Sequence, residues 1–452
     1  MAGEARSGGD ISDRDGSAQR SVTTITATAL AIADMVGIGV FTSLGFQVKD
    51  LPSGFAVLAL WVVGGIVALC GALSYAELSA AFPRSGGEYN FLSRAYTRAL
   101  GFMAGWISAT VGFAAPTALA AMTFGKYLEG VVPGVPPLAA AALLLWLATA
   151  VQLRGIAMSS RFQNFSTYLK VALIVAFVVA GLAIGDRQPV TFVPTIKDIG
   201  YITSAPFAIS LVFVMYSYSG WNAVTYIAGE VRNPRRSLPL SILASVLIVA
   251  CLYVSLNVVF LITTPMTEMA GKIEVGLIAG RHIFGENGAR IVGALICFGL
   301  VSTVSALMWI GPRVTSAMGE DMRLLRPFAR VSPSGAPTPA IIFQACVASL
   351  LLWFQSFEAV LDFIQFSLTF CSFLAVLGVI VLRWRQPGLA RPYRVWAYPL
   401  TPLIFLTVML FMMSYIVIER PVQALASVAV MAAGLLIYAV AAAAGMTKRT
   451  AE

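Results

Sequence analysis

The sequence predicts an all-α membrane protein, a single bundle of twelve transmembrane helices, and three observations carry that prediction. Of 452 residues, 58% are hydrophobic and only 11% charged, whereas soluble domains carry roughly 25% charged residues. The apolar residues form continuous runs. A helix needs ~20 such residues to cross ~30 Å of hydrocarbon, and a closed barrel would instead show short alternating segments. The breaks between runs are charged or rich in Pro and Gly.

Twelve runs follow one another, at about 24–48, 54–80, 99–125, 136–153, 163–185, 202–229, 237–263, 288–312, 338–354, 357–382, 398–418 and 421–445. The first is not a cleavable signal, because Glu4, Asp10, Asp13 and Asp15 stand where a basic n-region belongs. We therefore expect a disordered cytoplasmic tail over 1–22, a bundle over 23–446 and a short tail over 447–452. Connections are short except at 264–287 and 313–337, and neither has room for a separate domain.

Lys and Arg set the orientation. With the N-terminus cytoplasmic, inside segments hold 21 of the 30 and outside loops hold eight, with Lys170 inside a run. Both termini are then inside, in a cell (inner) membrane. The net charge of +9 follows from topology and gives no reason to expect nucleic acid as a partner.

All five cysteines fall inside apolar runs, and His282, the one histidine, falls in an outer loop. Neither a disulfide framework nor a CxxC metal pair is present. The sequence therefore predicts no metal, no cofactor and no catalytic residues.

Two runs carry small and polar residues at their middles. The first reads TATALAIADMVGIGVFTSLGF, with Gly37 and Gly39 flanking Ile38. The sixth reads PFAISLVFVMYSYSGWNAVTYIAGE, with Ser217, Ser219 and Gly220 before Trp221 and Asn222. Either feature alone also suits close helix packing. Their recurrence five spans apart points to an inverted-repeat carrier whose broken helices offer backbone N–H and C=O groups to a substrate. Unpaired backbone in lipid costs several kcal/mol, so such breaks persist only around a lined cavity.

Four segments together give a family resemblance: VGIGVFTS, SYAELSAAFPRSGGEYNFL, YSYSGWNAVTYIAGEVRNPRRSLP and RPYRVWAYPLTPL. They resemble the amino acid–polyamine–organocation superfamily, closest to its L-type amino acid transporter branch and bacterial relatives, from about Thr23 to Val440. The resemblance implies a five-plus-five inverted repeat, over about 23–186 and 200–384, with two additional helices at 397–445. It also implies alternating access and an α-amino acid held between spans one and six. By this match Gly37, Ile38 and Gly39 receive the carboxylate, and carbonyls of Ser217, Tyr218, Ser219 and Gly220 receive the amino group. Tyr216 caps the substrate and Asn222 lines the pocket. The physics agrees, since half-helix N–H groups suit an anion and free carbonyls a cation. Ile38 departs from the relatives' Ser or Thr, removing a hydroxyl contact.

Charges inside spans cost about 2.5–3.5 kcal/mol or more and are read by default as functional. Lys170 matches a lysine that, in relatives, occupies the sodium site of sodium-coupled members. It is expected to reach carbonyls of span one and hydroxyls such as Ser302 or Thr303, giving sodium-independent transport; the alternative is a lysine that only pins the bundle. Asp34, one turn before Gly37, is expected to pair with Lys170 as a proton-coupling couple, or else to satisfy an N–H at the break or face the inner vestibule. Glu77 and Glu230 read as inner-gate or structural ion pairs, near Arg84 and near Arg232, Arg235 and Arg236.

The expected function is a sodium-independent α-amino acid permease working by exchange or proton coupling. A cationic amine or polyamine carrier and a non-transporting receptor on the same scaffold are the alternatives. L-type transporters of animals pair with a glycoprotein through a cysteine after the third span. The stretch from Lys126 to Pro137 has none, so no disulfide-linked accessory subunit is expected.

Overall fold

The computed structural model describes residues 20–37, 39–202, 204–353 and 357–447, with side chains described except at 156–159 and 357–364. The expectations for Ile38 and for most of the two tails lie outside the described residues.

Span one consists of α1 (Thr24–Met35) and α2 (Gly39–Asp50). After α3 (Gly54–Ala81) a short helix α4 (Glu88–Ala95) turns back toward the bundle. Span three combines α5 (Arg98–Ile107), a π-helical turn at Ser108–Gly112 and α6 (Ala114–Val131). Pro116 has no N–H to give the Gly112 carbonyl, a cause of local widening of the kind often found at functional sites. Next come α7 (Pro137–Leu153), α8 (Ile156–Ile184), α9 (Ile196–Ile202) and the two pieces of span six, α10 (Ala205–Tyr218) and α11 (Ala223–Tyr226). The chain closes with α12 (Pro234–Thr263), α13 (Met266–Met269), α14 (Val275–Asp321), α15 (Thr338–Trp353), α16 (Phe357–Arg385), α17 (Leu400–Glu419) and α18 (Pro421–Ala443).

Among the described residues nine segments are long and apolar enough to span a membrane, the bent pair α9–α10 makes a tenth, and α7 and α15 are shorter apolar helices. Together they occupy the twelve expected intervals. Leu143, Val179, Leu350 and Leu425 stand exposed on the rim, as lipid-facing side chains do, and Trp353, Trp384 and Trp396 are exposed near span ends, where indole rings suit the interface.

The two long connections are largely helical, contrary to expectation. Residues 264–287 form α13 and the first turns of α14, which bends at Gly285 where φ is 71°. Val275, Gly276, Ala279, Gly280 and Ile283 are buried, a helical spacing in a segment too short to register as a span. In 313–337, α14 continues to Asp321 and a 3-10 helix covers Arg323–Ala329.

The ion pairs at the span ends on the N-terminal side also differ from the pairing that sequence proximity suggested. Glu77 is held by Arg383 at 2.5 Å, by Arg391 at 3.3 Å and by the Val395 amide at 2.8 Å. Glu230 takes the Arg313 guanidinium at 2.8 Å and the Trp309 indole N–H at 3.2 Å. Arg84 goes instead to Asp321 at 2.9 Å and Glu320 at 3.3 Å. A carboxylate and an arginine a few residues apart across a turn point along diverging elements, whereas bundle packing brings distant span ends together.

On the opposite face, Asp198 of α9 accepts from Ser53 Oγ at 2.5 Å and from the amide and hydroxyl of Thr195. Glu77→Ala should strand two guanidinium groups, lowering stability by about 3–5 kcal/mol, read as a fall in the melting temperature of the purified protein.

Candidate functional site

Span one stops being helical because its last carbonyls find partners outside the helix. Val36 N–H makes the final bond, to Ile32 O, and Gly37 N–H turns to Met35 O at 2.8 Å. The Ala33 and Val36 carbonyls are left to the Lys170 ammonium, at 3.3 and 2.6 Å, and to Thr303 Oγ1, at 3.2 Å each. Lys170 also donates to Thr303 Oγ1 at 2.9 Å. An ammonium has three donors, so Lys170 is saturated by these three partners and is buried.

Span six breaks at the matching place. The Ser219 amide and hydroxyl both donate to Tyr216 O, at 3.0 and 2.6 Å, and Gly220 takes φ +102°. Tyr253 joins the two breaks. Its hydroxyl lies 2.5 Å from Met35 O and 3.0 Å from Ser217 O, and its single proton goes to one of them at a time. The breaks touch through glycine. A Cβ on Gly39 would meet Ser217 Cα at 2.6 Å, and one on Gly220 would meet Asp34 Oδ2 at 2.7 Å. Toward the face opposite the N-terminus, α2 and α10 close on each other through Ser43 and Ser217, 3.0 Å apart, and through the stacked rings of Phe46 and Phe213.

Between the breaks lies a cavity of about 110 Å³ lined by Asp34, Gly37, Gly39, Tyr216, Ser217, Ser219, Gly220, Asn222 and Thr303. These come from the residues the sequence singled out. Others go elsewhere. The Tyr218 side chain is fully buried against Trp61, donating to its carbonyl at 3.0 Å. Ser302 accepts from Gln163 and Ser166, each at 3.1 Å, and does not reach Lys170. Glu77 and Glu230 stand at the span ends, outside the cavity lining.

The expected pair of Asp34 with Lys170 is not formed, since no ion pair within 4.0 Å joins them among the described residues. The reason is the saturation of Lys170. Asp34 Oδ1 is buried without a hydrogen-bond partner.

A second carboxylate in the lining was not among the expected site residues. Glu88, at the start of α4, accepts from Tyr75 at 2.7 Å, from Asn222 Nδ2 at 2.7 Å and from the Tyr226 hydroxyl. Ser108, Phe113 and Cys371 also face the cavity. The sequence held a signal for Glu88, an acid in GEYNFL directly after two glycines, and for the π turn, the proline at 116 within span three.

Two broken spans closed around a small polar cavity, inside a bundle with a lipid-facing rim, define a multi-pass membrane carrier. A family model described as "Amino acid permease" matches residues 22–443, and the chain belongs to that family. The chain is similar to b(0,+)-type amino acid transporter 1 of Mus musculus, 26% identical over 438 residues, covering 93% of this chain and 88% of that one. The cystine/glutamate transporter of Homo sapiens is 27% identical over 418 residues, covering 89% and 81%. Large neutral amino acids transporter small subunit 2 of Mus musculus is 26% identical over 435 residues, covering 93% and 80%. This chain is accordingly a membrane-embedded amino acid transporter and not an enzyme.

Gly39→Ala should wedge α2 from α10 by overpacking, a strain of about 1–3 kcal/mol. The variant is expected to fold yet lose the thermal stabilisation that a transported amino acid gives the wild type, as measured by melting in detergent with and without the amino acid.

Proposed function

We propose that this permease holds its α-amino acid between the two breaks and exchanges it across the membrane by alternating access, without sodium. The α-carboxylate sits on the segment from Gly37 to Gly39, whose first amide already bonds Met35 O, and the α-ammonium on carbonyls of the 217–220 segment, to which Tyr218 contributes only backbone. Tyr216 covers the ligand and Asn222, anchored on Glu88, forms a wall. The two halves, about 23–186 and 200–384, act as the inverted repeats, with 397–445 as additional helices.

The single observation that carries the sodium-independent reading is the Lys170 ammonium. It occupies three oxygen acceptors, Ala33 O, Val36 O and Thr303 Oγ1, a neighbourhood that would suit a small cation. A tethered ammonium there leaves no vacancy for a free ion and neutralises the carbonyl ends of the broken helix.

The Lys and Arg distribution supports both termini in the cytoplasm. The stretch between α6 and α7 has no cysteine, which supports a carrier without a disulfide-linked accessory subunit.

In proteoliposomes, amino acid exchange should be unchanged when external sodium is replaced by choline, and a strict sodium requirement would overturn the reading. Lys170→Ala should reduce exchange about tenfold or more, equivalent to about 1.4 kcal/mol, because it strips the Ala33 and Val36 carbonyls of their cation.

A further inference from the structure

We propose that the amino acid carried here has a cationic side chain, and that Asp34 selects it by accepting the side-chain ammonium or guanidinium. The proposal rests on the reading of the cavity as the α-amino acid site and names the substrate class of that site.

Among the described residues, the cavity lining contains two carboxylates, Asp34 and Glu88, and neither lysine, arginine nor histidine. Their situations differ. Glu88 already accepts from Tyr75, Asn222 and Tyr226, so its hydrogen-bonding capacity is largely taken, though its charge still favours a cation in the cavity. Among the described residues, Asp34 Oδ1 is buried without a hydrogen-bond partner. Its Oδ2 lies against the bare Cα of Gly220, where a methyl group would come within 2.7 Å. Glycine at 220 thus keeps the approach to this carboxylate clear from the span-six side.

The nearest candidate counter-ion is Lys170, whose three donors are committed to Ala33 O, Val36 O and Thr303 Oγ1. A buried carboxylate without a partner is strongly disfavoured and demands a proton or a cation. A neutral amino acid is a zwitterion, so it brings no net charge to a lining that holds two carboxylates. A lysine-like or arginine-like substrate brings a second cation, whose charge-assisted hydrogen bonds are the stronger kind. A carboxylate that gains its partner only from the correct ligand also discriminates strongly against an isostere lacking that group.

The test uses the full chain reconstituted in liposomes and compares counterflow of lysine with that of norleucine, which keeps the straight side chain and lacks its ammonium. Wild type should move lysine at least ten times better by kcat/KM, and Asp34→Asn should reduce that ratio at least tenfold. Norleucine moving as well as lysine in the wild type overturns the charge assignment while leaving the amino acid site intact, and needs no variant. A ratio unaltered in Asp34→Asn overturns the role given to Asp34. Cadaverine, which is lysine without its carboxylate, should be a poor substrate; if it outruns lysine, the α-amino acid reading beneath the proposal fails.

Discussion

The arrangement of the whole site depends on one interaction, the Lys170 ammonium on the carbonyls of Ala33 and Val36. A helix interrupted in the middle of a membrane exposes acceptors that lipid cannot satisfy. Here a single side chain from α8, assisted by Thr303 from α14, satisfies them. The same contact fixes where α1 ends, so the position of Gly37, the turn of its amide and the orientation of Asp34 all follow. Because α8 and α14 both reach this point, the broken span is anchored to two helices that are themselves continuous through it.

That anchorage explains the asymmetry of the cavity. One charge of each sign lies near the break, but the positive one is turned to backbone and the negative one lines the cavity. Span six repeats the interruption without a charged side chain, using the Ser219 hydroxyl and amide on Tyr216 O together with the left-handed Gly220. Two breaks of matching position are therefore built by unlike means. One needs a partner from elsewhere in the bundle, and the other is made locally.

Most of the architecture was legible in the sequence because hydrocarbon imposes a length and a composition on each span. The two breaks were legible because small and polar residues recur at the middles of spans one and six, although either cluster alone would also suit close packing. What escaped was decided by contacts between distant segments. Glu77 and Glu230 pair with Arg383 and Arg313, hundreds or tens of residues away, and no local pattern encodes that choice. Tyr218 and Ser302 each neighbour a true cavity residue in sequence, yet one residue along a helix rotates a side chain by about 100° and points it into another interface. Glu88 escaped because α4 is a short helix in a connection, and its entry into the cavity is a matter of how the chain folds back after α3.

Glu230 has a further consequence. Its side chain holds Arg313 and Trp309 of α14, while its carbonyl accepts from the Val22 amide at 2.9 Å and the neighbouring Arg232 amide returns the bond to Val22 O at 2.9 Å. A two-bond backbone clasp thus fastens the start of span one to the end of span six, and one residue welds both to the eighth span. Those two half-helices are tied to one another and, through Glu230, to Arg313 and Trp309 of α14, so freeing them from it means giving up both side-chain bonds.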